Sequence, residues 1–411
     1  MRANALLLGT ACAVLLGTAP AWAEPITLHA LMEDVPETTI IEAMLPEFQK
    51  ETGINVEFQK LVYSDMHDKL VTQLTGPESY YNLLEVDFLW AGEFPAAGWL
   101  ADLQPFVDKS KFNLQPFIPA MLDLVGRYKG GLYMIPMYNY SMGLIYRTDL
   151  LKDAKLPPTL GDYVELVKSM KAKAGVAGAA MQSQRGDPNS MEFSNFLFAS
   201  GGRYLDDNGK VALDSPEART ALKLYVDAVQ HGAQEGALSA TLDDTLRLMC
   251  DDKAFSMVTY WWMLPQLDDA KKCPSVAGKV ALSVMPGGHG ESGGWGWGIP
   301  KNESPELQQA AWTFIEWVQS KKVEVARALQ GHAPVRSDVF EAPEVLAKYP
   351  YYKAAEAVVA SGMAFPVFAY SAQYEDVLGT QLSLAAAGQT SVDAAIKAAA
   401  AGLENLKKKA E

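Results

Sequence analysis

Hydrophobic and polar positions follow two different periods in the first part of the chain. Residues 26–31 and 54–58 place apolar side chains at alternate positions, which is the spacing of half-buried strands. Residues 40–48 and 66–74 repeat them every three or four positions, as amphipathic helices do, and the apolar run at 83–90 is typical of a buried strand. This alternation of strands and helices predicts a parallel sheet covered by helices, and therefore an α/β fold.

The rest of the chain continues this mixture without a visible boundary. Asn208-Gly209 predicts a hairpin turn. Ser215-Pro216-Glu217 places a cap, a proline and an acid in the order that begins a helix, and Ser304-Pro305-Glu306 repeats that order before another helix. Most of the chain after residue 341 has a helical period. No run of Pro, Gly or Ser divides the chain, so we expect lobes that share several crossovers. Further strands are predicted at 132–136, 142–146, 255–262, 280–285 and 295–299.

Composition narrows the range of partners. The chain has 411 residues, of which 49% are hydrophobic, so it can bury a large core and form two or three domains. Its 35 basic and 49 acidic side chains give a net charge of -14. A chain this acidic repels phosphate backbones and anionic lipid, which argues against nucleic acid and membrane surfaces as partners.

The first 23 residues have the three regions of a secretory signal peptide. Arg2 supplies positive charge, residues 5–18 are apolar but too short to cross a bilayer, and Ala21-Trp22-Ala23 matches the small-x-small cleavage pattern. A buried N-terminal helix and a lipoprotein modified at Cys12 are the alternatives. No later stretch is long and apolar enough to span a membrane, so we expect an exported protein that does not insert into the membrane.

Two cysteines remain after the predicted cleavage site, Cys250 and Cys273. In an oxidising compartment an even pair favours a disulfide. The alternative is a pair of unbonded buried thiols. Neither cysteine has a histidine neighbour at metal-ligand spacing, and no cofactor or metal is predicted.

Motifs for catalysis are mostly absent. Gly290-Glu291-Ser292-Gly293-Gly294 matches G-x-S-x-G, but the nucleophile elbow needs a helix after the serine, and the glycines that follow disfavour one. Adjacent carboxylate pairs occur at several turns and are most simply solvated surface. Glu33-Asp34 differs because it directly follows the first predicted strand, where open parallel sheets place their ligand crevice. We therefore do not expect an enzyme.

Aromatic residues are concentrated at strand ends and in loops. Indole and phenol rings combine an apolar face with one polar edge, which suits sugar rings whose C–H faces stack while their hydroxyls need polar partners. Core packing is the alternative for each of them. The aromatic residues are Tyr63, Trp90, Tyr138, Tyr140, Trp261, Trp262, Trp295 and Trp297, and polar residues in comparable positions are Asp87, Asn139, Gln184, Arg185 and Asp187.

An ordered series of segments resembles the extracellular solute-binding proteins of ABC importers, in the group that takes sugars and polyols (family 1, maltose-binding-protein-like). The resemblance covers essentially the whole chain after residue 23. The segments are 44–56 (MLPEFQKETGINV), 87–100 (DFLWAGEFPAAGWL), 132–150 (LYMIPMYNYSMGLIYRTDL), 207–218 (DNGKVALDSPEA), 253–262 (KAFSMVTYWW), 293–302 (GGWGWGIPKN) and 334–336 (PVR).

The resemblance implies a two-lobed, type II-like periplasmic-binding-protein fold. Each lobe is then a mixed, mostly parallel sheet with flanking helices, and the ligand cleft lies between the lobes. We assign 1–23 to the signal peptide, 24–135 plus 285–331 to the N-terminal lobe, and 136–284 plus 332–411 to the C-terminal lobe. The implied protein is a periplasmic monomer that binds a carbohydrate or polyol by lobe closure and delivers it to the permease's transmembrane subunits.

The same resemblance implies a set of ligand-facing residues. Those that match by position are Trp90, Tyr138, Trp261, Trp262, Gly294 and Trp295, with weaker matches at Glu33, Tyr63, Asp87, Arg185 and Arg336. Which tryptophan of the Trp261-Trp262 pair stacks on ligand is open. Cys250 and Cys273 are not part of the general pattern of the family.

Two other functions remain open at this point. The same architecture can serve another solute: an organic acid, for which Arg185 and Arg336 are candidate partners, or a metal chelate, for which the tyrosine pairs at 80–81 and 351–352 are candidates. A secreted hydrolase using Ser292 or a carboxylate pair is the third hypothesis.

Overall fold

The structure is a computed structural model that describes residues 26–206 and 208–410. The predicted signal peptide lies outside the described residues. Within these ranges, no helix combines the length and the apolar composition that a bilayer crossing requires.

The described residues form two main sheets and two short strand pairs. The strands are β1 (Thr27–Glu33), β2 (Asn55–Leu61), β3 (Leu83–Asp87), β4 (Arg127–Tyr128), β5 (Gly131–Leu132), β6 (Met134–Asn139), β7 (Met142–Arg147), β8 (Ala177–Ala180), β9 (Ala254–Tyr260), β10 (Val280–Ser283), β11 (Gly290–Glu291), β12 (Gly294–Gly298) and β13 (Gly362–Met363).

Helices cover both sheets. The α-helices are α1 (Pro36–Glu42), α2 (Leu45–Thr52), α3 (Tyr63–Leu74), α4 (Glu93–Ala96), α5 (Gln104–Ser110), α6 (Pro119–Met121), α7 (Thr148–Leu151), α8 (Leu160–Ala174), α9 (Asp187–Ala199), α10 (Pro216–Asp227), α11 (Leu242–Cys250), α12 (Leu264–Leu267), α13 (Pro305–Val318), α14 (Lys321–Ala328), α15 (Ser337–Phe340), α16 (Pro343–Lys348), α17 (Tyr352–Ala360), α18 (Ser371–Ala386) and α19 (Val392–Ala410). Short 3₁₀ turns lie at Phe88–Trp90, Ala237–Ser239 and Trp261–Met263, and π-helical turns at Leu122–Gly126 and Ala228–Gly232.

The first sheet has the strand order β2-β1-β3-β12-β6. β1 pairs in parallel with β2 and β3, which confirms the predicted βαβαβ unit, while β12 runs antiparallel to β3 and β6. The glycines of β12 permit close packing: a Cβ on Gly296 would lie 2.7 Å from a Val125 methyl group. Gly294 and Gly296 therefore face the π-helical turn at Leu122–Gly126, and the alternate positions of β12 carry Trp295 and Trp297.

The second sheet has the order β10-β7-β9-β8, with β8 parallel to β9 and the other pairs antiparallel. The chain passes from the first sheet to the second between Asn139 and Met142, because β6 extends to Asn139 within the first sheet. Two mixed α/β layers joined by crossing segments confirm the predicted fold class. The expectation that each sheet is mostly parallel is wrong, because antiparallel pairs equal the parallel ones in the first sheet and outnumber them in the second. The residue limits assigned to the lobes stay a prediction.

Two of the predicted helix starts are confirmed with their caps. The Ser215 hydroxyl accepts a hydrogen bond from the Ala218 backbone N–H at the start of α10, and Ser304 does the same for α13. Both helices carry proline in their first turn, where a missing N–H removes no helical hydrogen bond. Two predicted strands are shorter than expected, since β3 and β9 each end in a 3₁₀ turn.

The disulfide between Cys250 and Cys273 is present, with Cα atoms 4.8 Å apart. It joins the end of α11 to the loop before β10, and Cys273 is buried. The bond therefore fixes that loop against α11 in the second lobe.

We expect the double substitution Cys250→Ser and Cys273→Ala to lower the free energy of unfolding of this lobe by about 3 kcal/mol, because the disulfide restricts the unfolded chain. Urea titration of the oxidised wild type and the variant measures the loss. The wild type treated with reductant should match the variant, and a variant as stable as the oxidised wild type would contradict the prediction.

Candidate ligand-binding cleft

A cavity of about 410 Å³ opens between the two sheets, and we call it the cleft. β1 and β3 run in parallel, so their carboxyl ends meet at one edge of the first sheet and place Glu33 and Asp87 there together. β12 runs the other way, so its first residues reach the same edge and contribute Trp295. Residues after β8 and β9 line the opposite wall, including Asp187 and Trp262.

The wall from the first lobe is a layer of packed aromatic rings. Trp295 lies edge-on to Tyr63, with ring centroids 5.8 Å apart, and Tyr138 stacks near its face. Tyr63 also stacks on Trp90, which is only 2% exposed and does not line the cleft. Trp90 therefore supports the ring of Tyr63 from behind and does not itself face the cleft.

The opposite wall is a stacked pair formed by Tyr260 and Trp262, with an interplanar angle of 6° and centroids 5.8 Å apart. Tyr140 packs edge-on against Tyr260 from the crossover. The indole Nε1 of Trp262 has no hydrogen-bond partner among the described residues. Aromatic rings from both lobes, including Trp295 on one wall and Trp262 on the other, therefore line the cleft.

Trp261 points away from the cleft. Its side chain is fully buried, donates a hydrogen bond from Nε1 to the Asn139 Oδ1 at 2.8 Å, and packs edge-on against Tyr352. The 3₁₀ turn that follows β9 directs successive side chains to different sides, so only the second tryptophan reaches the cavity. The expectation that Trp261 faces the cleft is therefore replaced by a role in the core.

The carboxylate of Asp87 is held at the wall of the cleft by two tyrosine hydroxyls. It accepts hydrogen bonds from the hydroxyls of Tyr63 at 2.8 Å and Tyr140 at 2.7 Å. Burial raises the pKa of Asp87 to about 6, although the two tyrosine hydroxyls act in the opposite direction. The same bonds hold both phenol rings in place at the wall of the cleft.

Glu33 and Asp187 complete the acidic lining from the two lobes. Burial raises the pKa of Glu33 to about 7, and the charges of Asp87 and Asp187 add to that rise. Burial likewise raises the pKa of Asp187 above its ordinary value. Beneath Glu33, the buried carboxylate of Glu85 accepts hydrogen bonds from the Glu33 backbone N–H and the Tyr138 hydroxyl. A hydroxyl-bearing ligand would meet acceptors on both sides.

Three further predicted residues do not line the cleft. A Cβ on Gly294 would lie 2.7 Å from the Tyr138 carbonyl oxygen, so this glycine serves the close approach of β12 and β6. Arg336 is buried, forms an ion pair with Asp338 and donates to the Gln319 carbonyl. Arg185 is exposed on the loop before α9. Contact of these three residues with a ligand remains an untested prediction, and none of them lines the cavity.

Several lining residues were not among the predicted site residues. Tyr140 and Asp187 carried a usable signal, because the sequence places them among the aromatic and polar residues at strand ends and in loops, although they are not in the ligand-facing set. Tyr260 lies near the end of a predicted strand. Gln330, Gly331 and Ala333 carried none. The full set of additional lining residues is Val35, Pro36, Glu37, Ile40, Phe88, Leu89, Tyr140, Asp187, Met191, Leu242, Tyr260, Pro265, Gln266, Lys272, Gln330, Gly331 and Ala333.

Ser292 lacks the surroundings of a nucleophile. Its hydroxyl lies 2.7 Å from the Ser141 hydroxyl in a buried position, and β12 begins two residues later where the elbow requires a helix. For the metal-chelate hypothesis, no group of three His, Cys, Asp or Glu within the described ranges could hold a metal ion. Tyr351 and Tyr352 belong to the packing around α17, which leaves them no place in the cleft.

Comparison with known proteins agrees with this geometry. Residues 34–325 match the model of the bacterial extracellular solute-binding protein family. The chain belongs to this family. Among curated proteins, a probable amino-acid ABC transporter periplasmic-binding protein of Sinorhizobium fredii is 22% identical over 311 residues, which are 74% of this chain and 71% of that protein.

Solved structures of solute-binding proteins share the whole architecture. An ABC transporter solute-binding protein from Agrobacterium radiobacter K84, in complex with ribitol, has a TM-score of 0.83 and 26% identity, and the match covers 93% of this chain and 98% of that one. Maltose-bound MalE3 of T. maritima also has a TM-score of 0.83, with 28% identity and coverage of 93% and 100%. This member of the family therefore has the two-lobed fold.

We expect Trp261→Ala to lower the free energy of unfolding by about 3–5 kcal/mol, because it removes a fully buried indole and leaves a cavity. Denaturant titration measures this loss. Trp262→Ala is the matched control, since Trp262 is half-buried at the wall of the cleft and its removal should cost less than half as much. Equal losses would contradict the assignment of the two tryptophans to core and cleft.

Glu33 should make stability depend on pH. Its pKa is about 7 in the folded protein and 4.5 ordinarily, so the folded state holds the proton more tightly. The resulting stabilisation is full below pH 4.5 and is lost as the pH rises through 7. Glu33→Gln should therefore show a smaller fall in melting temperature than the wild type when the pH is raised from 5 to 8. This interval covers most of the range between the two pKa values and extends about one unit above the higher one. Glu78→Gln, at an exposed position, should keep the wild-type slope, and an unchanged slope in Glu33→Gln would refute the prediction.

Proposed function

We propose that this protein is the substrate-binding component of an ABC importer, and that it captures a sugar or sugar alcohol in the cleft. The observation that carries the proposal is the presence of aromatic rings and carboxylates at the same cavity, contributed by both lobes. Stacked rings and a few placed acceptors are what a hydroxyl-rich ring or chain requires. Relatives that bind ribitol and maltose support the same class of ligand.

Binding would proceed by contact with both walls. The ring faces of Trp262 and Trp295 would pack against the C–H surface of the ligand, and Asp87, Glu33 and Asp187 would accept hydrogen bonds from its hydroxyls. An unpaired buried hydroxyl costs about 1–3 kcal/mol, so the positions of these acceptors would select among stereoisomers. The cavity of about 410 Å³ lies in the range of small-molecule sites.

Closure of the lobes would convert binding into a signal. A ligand that contacts both lobes favours the closed arrangement in proportion to its extra contacts there. Gln330, Gly331 and Ala333 line the cleft, and the Ala333 carbonyl accepts a hydrogen bond from the backbone N–H of Asn139 in the crossover at 139–142. The hinge would lie at these two segments, so residues that move on closure would also contact the ligand. The transmembrane subunits of the permease would recognise the closed form and receive the ligand unchanged.

The same proposal places the protein in the periplasm. Residues 1–23 would direct export and be removed before Glu24, and the exported chain would act as a monomer with the lobe limits assigned above. An organic acid is less well supported as a ligand, because neither Arg185 nor Arg336 lines the cleft. No chemical conversion of the ligand is proposed.

A thermal-shift screen over monosaccharides, disaccharides and alditols, together with their amino derivatives, tests this function. A ligand at 100 times its Kd should stabilise the protein by about 2.7 kcal/mol, which appears as a clear rise in melting temperature. Small organic acids form the comparison set. A rise with acids alone, or with none of these compounds, would overturn the proposal.

With a sugar or alditol identified in the screen, Trp262→Ala should weaken binding by at least tenfold, which corresponds to about 1.4 kcal/mol of lost ring contact. Isothermal titration calorimetry measures the Kd. Trp317→Ala is the control, because Trp317 is a half-buried tryptophan on α13 that does not line the cleft. An unchanged Kd in Trp262→Ala would show that the ligand binds elsewhere.

A further inference from the structure

Apart from Glu85, which lies beneath Glu33, five carboxylates in or near the cleft have no Lys or Arg as an ion-pair partner among the described residues. Glu33 and Asp87 line it from the first lobe and Asp187 from the second, where Glu375 is its hydrogen-bonding neighbour. Glu291 belongs to β11 and does not line the cleft, but the charges of Asp187 and Asp87 act on it. The cleft is therefore acidic on both walls.

Protein cations do not neutralise this group. Among the described residues, no Lys or Arg forms an ion pair with any of the five carboxylates. Of the described residues that line the cleft, Lys272 alone carries a cationic side chain, and it is exposed in the loop before β10. Those of the five carboxylates that are ionised therefore have no fixed counter-charge among the described residues.

A sixth carboxylate, that of Glu37, differs from these five because cationic side chains lie next to it. Glu37 also lines the cleft, but it lies 2.8 Å from Arg327 and 2.7 Å from His332. Burial opposes ionisation of Glu37, and His332 and Arg327 outweigh it, so the pKa of Glu37 falls to about 2. The pKa values of Glu33 and Asp87 are raised instead, because both groups are removed from water and lie near other carboxylates.

Unused hydrogen-bonding capacity marks the same region. Both carboxylate oxygens of Glu291 are buried without a hydrogen-bond partner among the described residues, and so is one oxygen of Glu375. A buried carboxylate without a partner is strongly disfavoured in its charged form. A positive charge placed in the cleft would lower that penalty for the whole group.

The aromatic walls favour a cation as well. The faces of tyrosine and indole rings carry negative potential and attract ammonium groups that lie within about 6 Å of the ring centroid. Tyr260 and Trp262 form one such wall, and Trp295 with Tyr138 forms the other. Carboxylates and ring faces thus select the same kind of charge, and they do so independently.

We propose that the ligand of this cleft is a hydroxylated amine, an amino sugar or an amino alditol, whose ammonium group lies between Glu33, Asp87 and Asp187 while its hydroxyl-bearing chain stacks between the aromatic walls. The inference rests on the proposed function and narrows it. A neutral alditol uses the acceptors but leaves the carboxylates uncompensated. The ammonium group supplies hydrogen-bond donors and the missing charge together.

Calorimetric titration with matched pairs tests the inference at pH 7. The pairs are 1-amino-1-deoxy-D-glucitol with D-glucitol, D-glucosamine with D-glucose, and D-galactosamine with D-galactose, and N-acetyl-D-glucosamine serves as an uncharged compound of similar shape. In a pair that binds, we expect the amine to bind at least tenfold more tightly. Equal or tighter binding of the neutral member in every pair that binds would overturn this inference and leave the proposed function standing. Absence of binding by all compounds here and in the thermal screen would overturn both.

Variants separate charge from shape. Asp187→Asn and Glu33→Gln keep the size of the side chain and one of its two acceptor oxygens but remove the carboxylate charge, so the ratio of amine to neutral affinity should fall about tenfold in each. Glu344→Gln, at an exposed position on α16, is the control and should keep the wild-type ratio. A ratio that does not change in either cleft variant would show that these carboxylates do not bind the ammonium group.

Discussion

The cleft depends on the buried carboxylate of Asp87 and the two tyrosine hydroxyls that bind it. Asp87 ends β3, Tyr63 begins α3 and Tyr140 belongs to the crossover into the second sheet. These hydrogen bonds satisfy a carboxylate that burial would otherwise penalise, and they orient the two rings at the wall of the cavity. The same interaction therefore supports the fold of the first lobe and the shape of the site.

A second buried network connects the first lobe to the segment that returns from α14. Arg327 is fully buried and bonds to Glu37, Glu324 and the Met137 carbonyl, and His332 contacts both carboxylates. Burial and Arg327 lower the pKa of His332, but Glu37 and Glu324 outweigh them and the net shift is upward. Charges balanced in this way fix the backbone at 330–333, where it lines the cleft. Glu33, Asp87 and Asp187 have no such cationic partners among the described residues, and a positively charged ligand would supply one.

Local sequence pattern determined the architecture of this protein. The periods of 26–90 predicted the βαβαβ unit, capping residues predicted the starts of α10 and α13, and a single cysteine pair in an exported chain predicted the disulfide. Six predicted site residues also line the cleft. Residues that end or follow parallel strands must meet at one edge of a sheet, whereas Trp295 begins the antiparallel β12 and Trp262 follows β9 of the second sheet. These six are Glu33, Tyr63, Asp87, Tyr138, Trp262 and Trp295.

Only the tertiary structure decided which member of each group faces the ligand. Trp261 and Trp262 are neighbours of the same type, and the 3₁₀ turn after β9 sends one to the core and the other to the cleft. Arg336 is held away from the cleft by the Gln319 carbonyl and the ring of Phe117, which are distant from it in sequence. Gln330 reaches the cavity through a segment with no periodic pattern. Periodicity specifies the face of a regular element, whereas the direction of a side chain in a turn depends on backbone angles and on contacts distant in sequence.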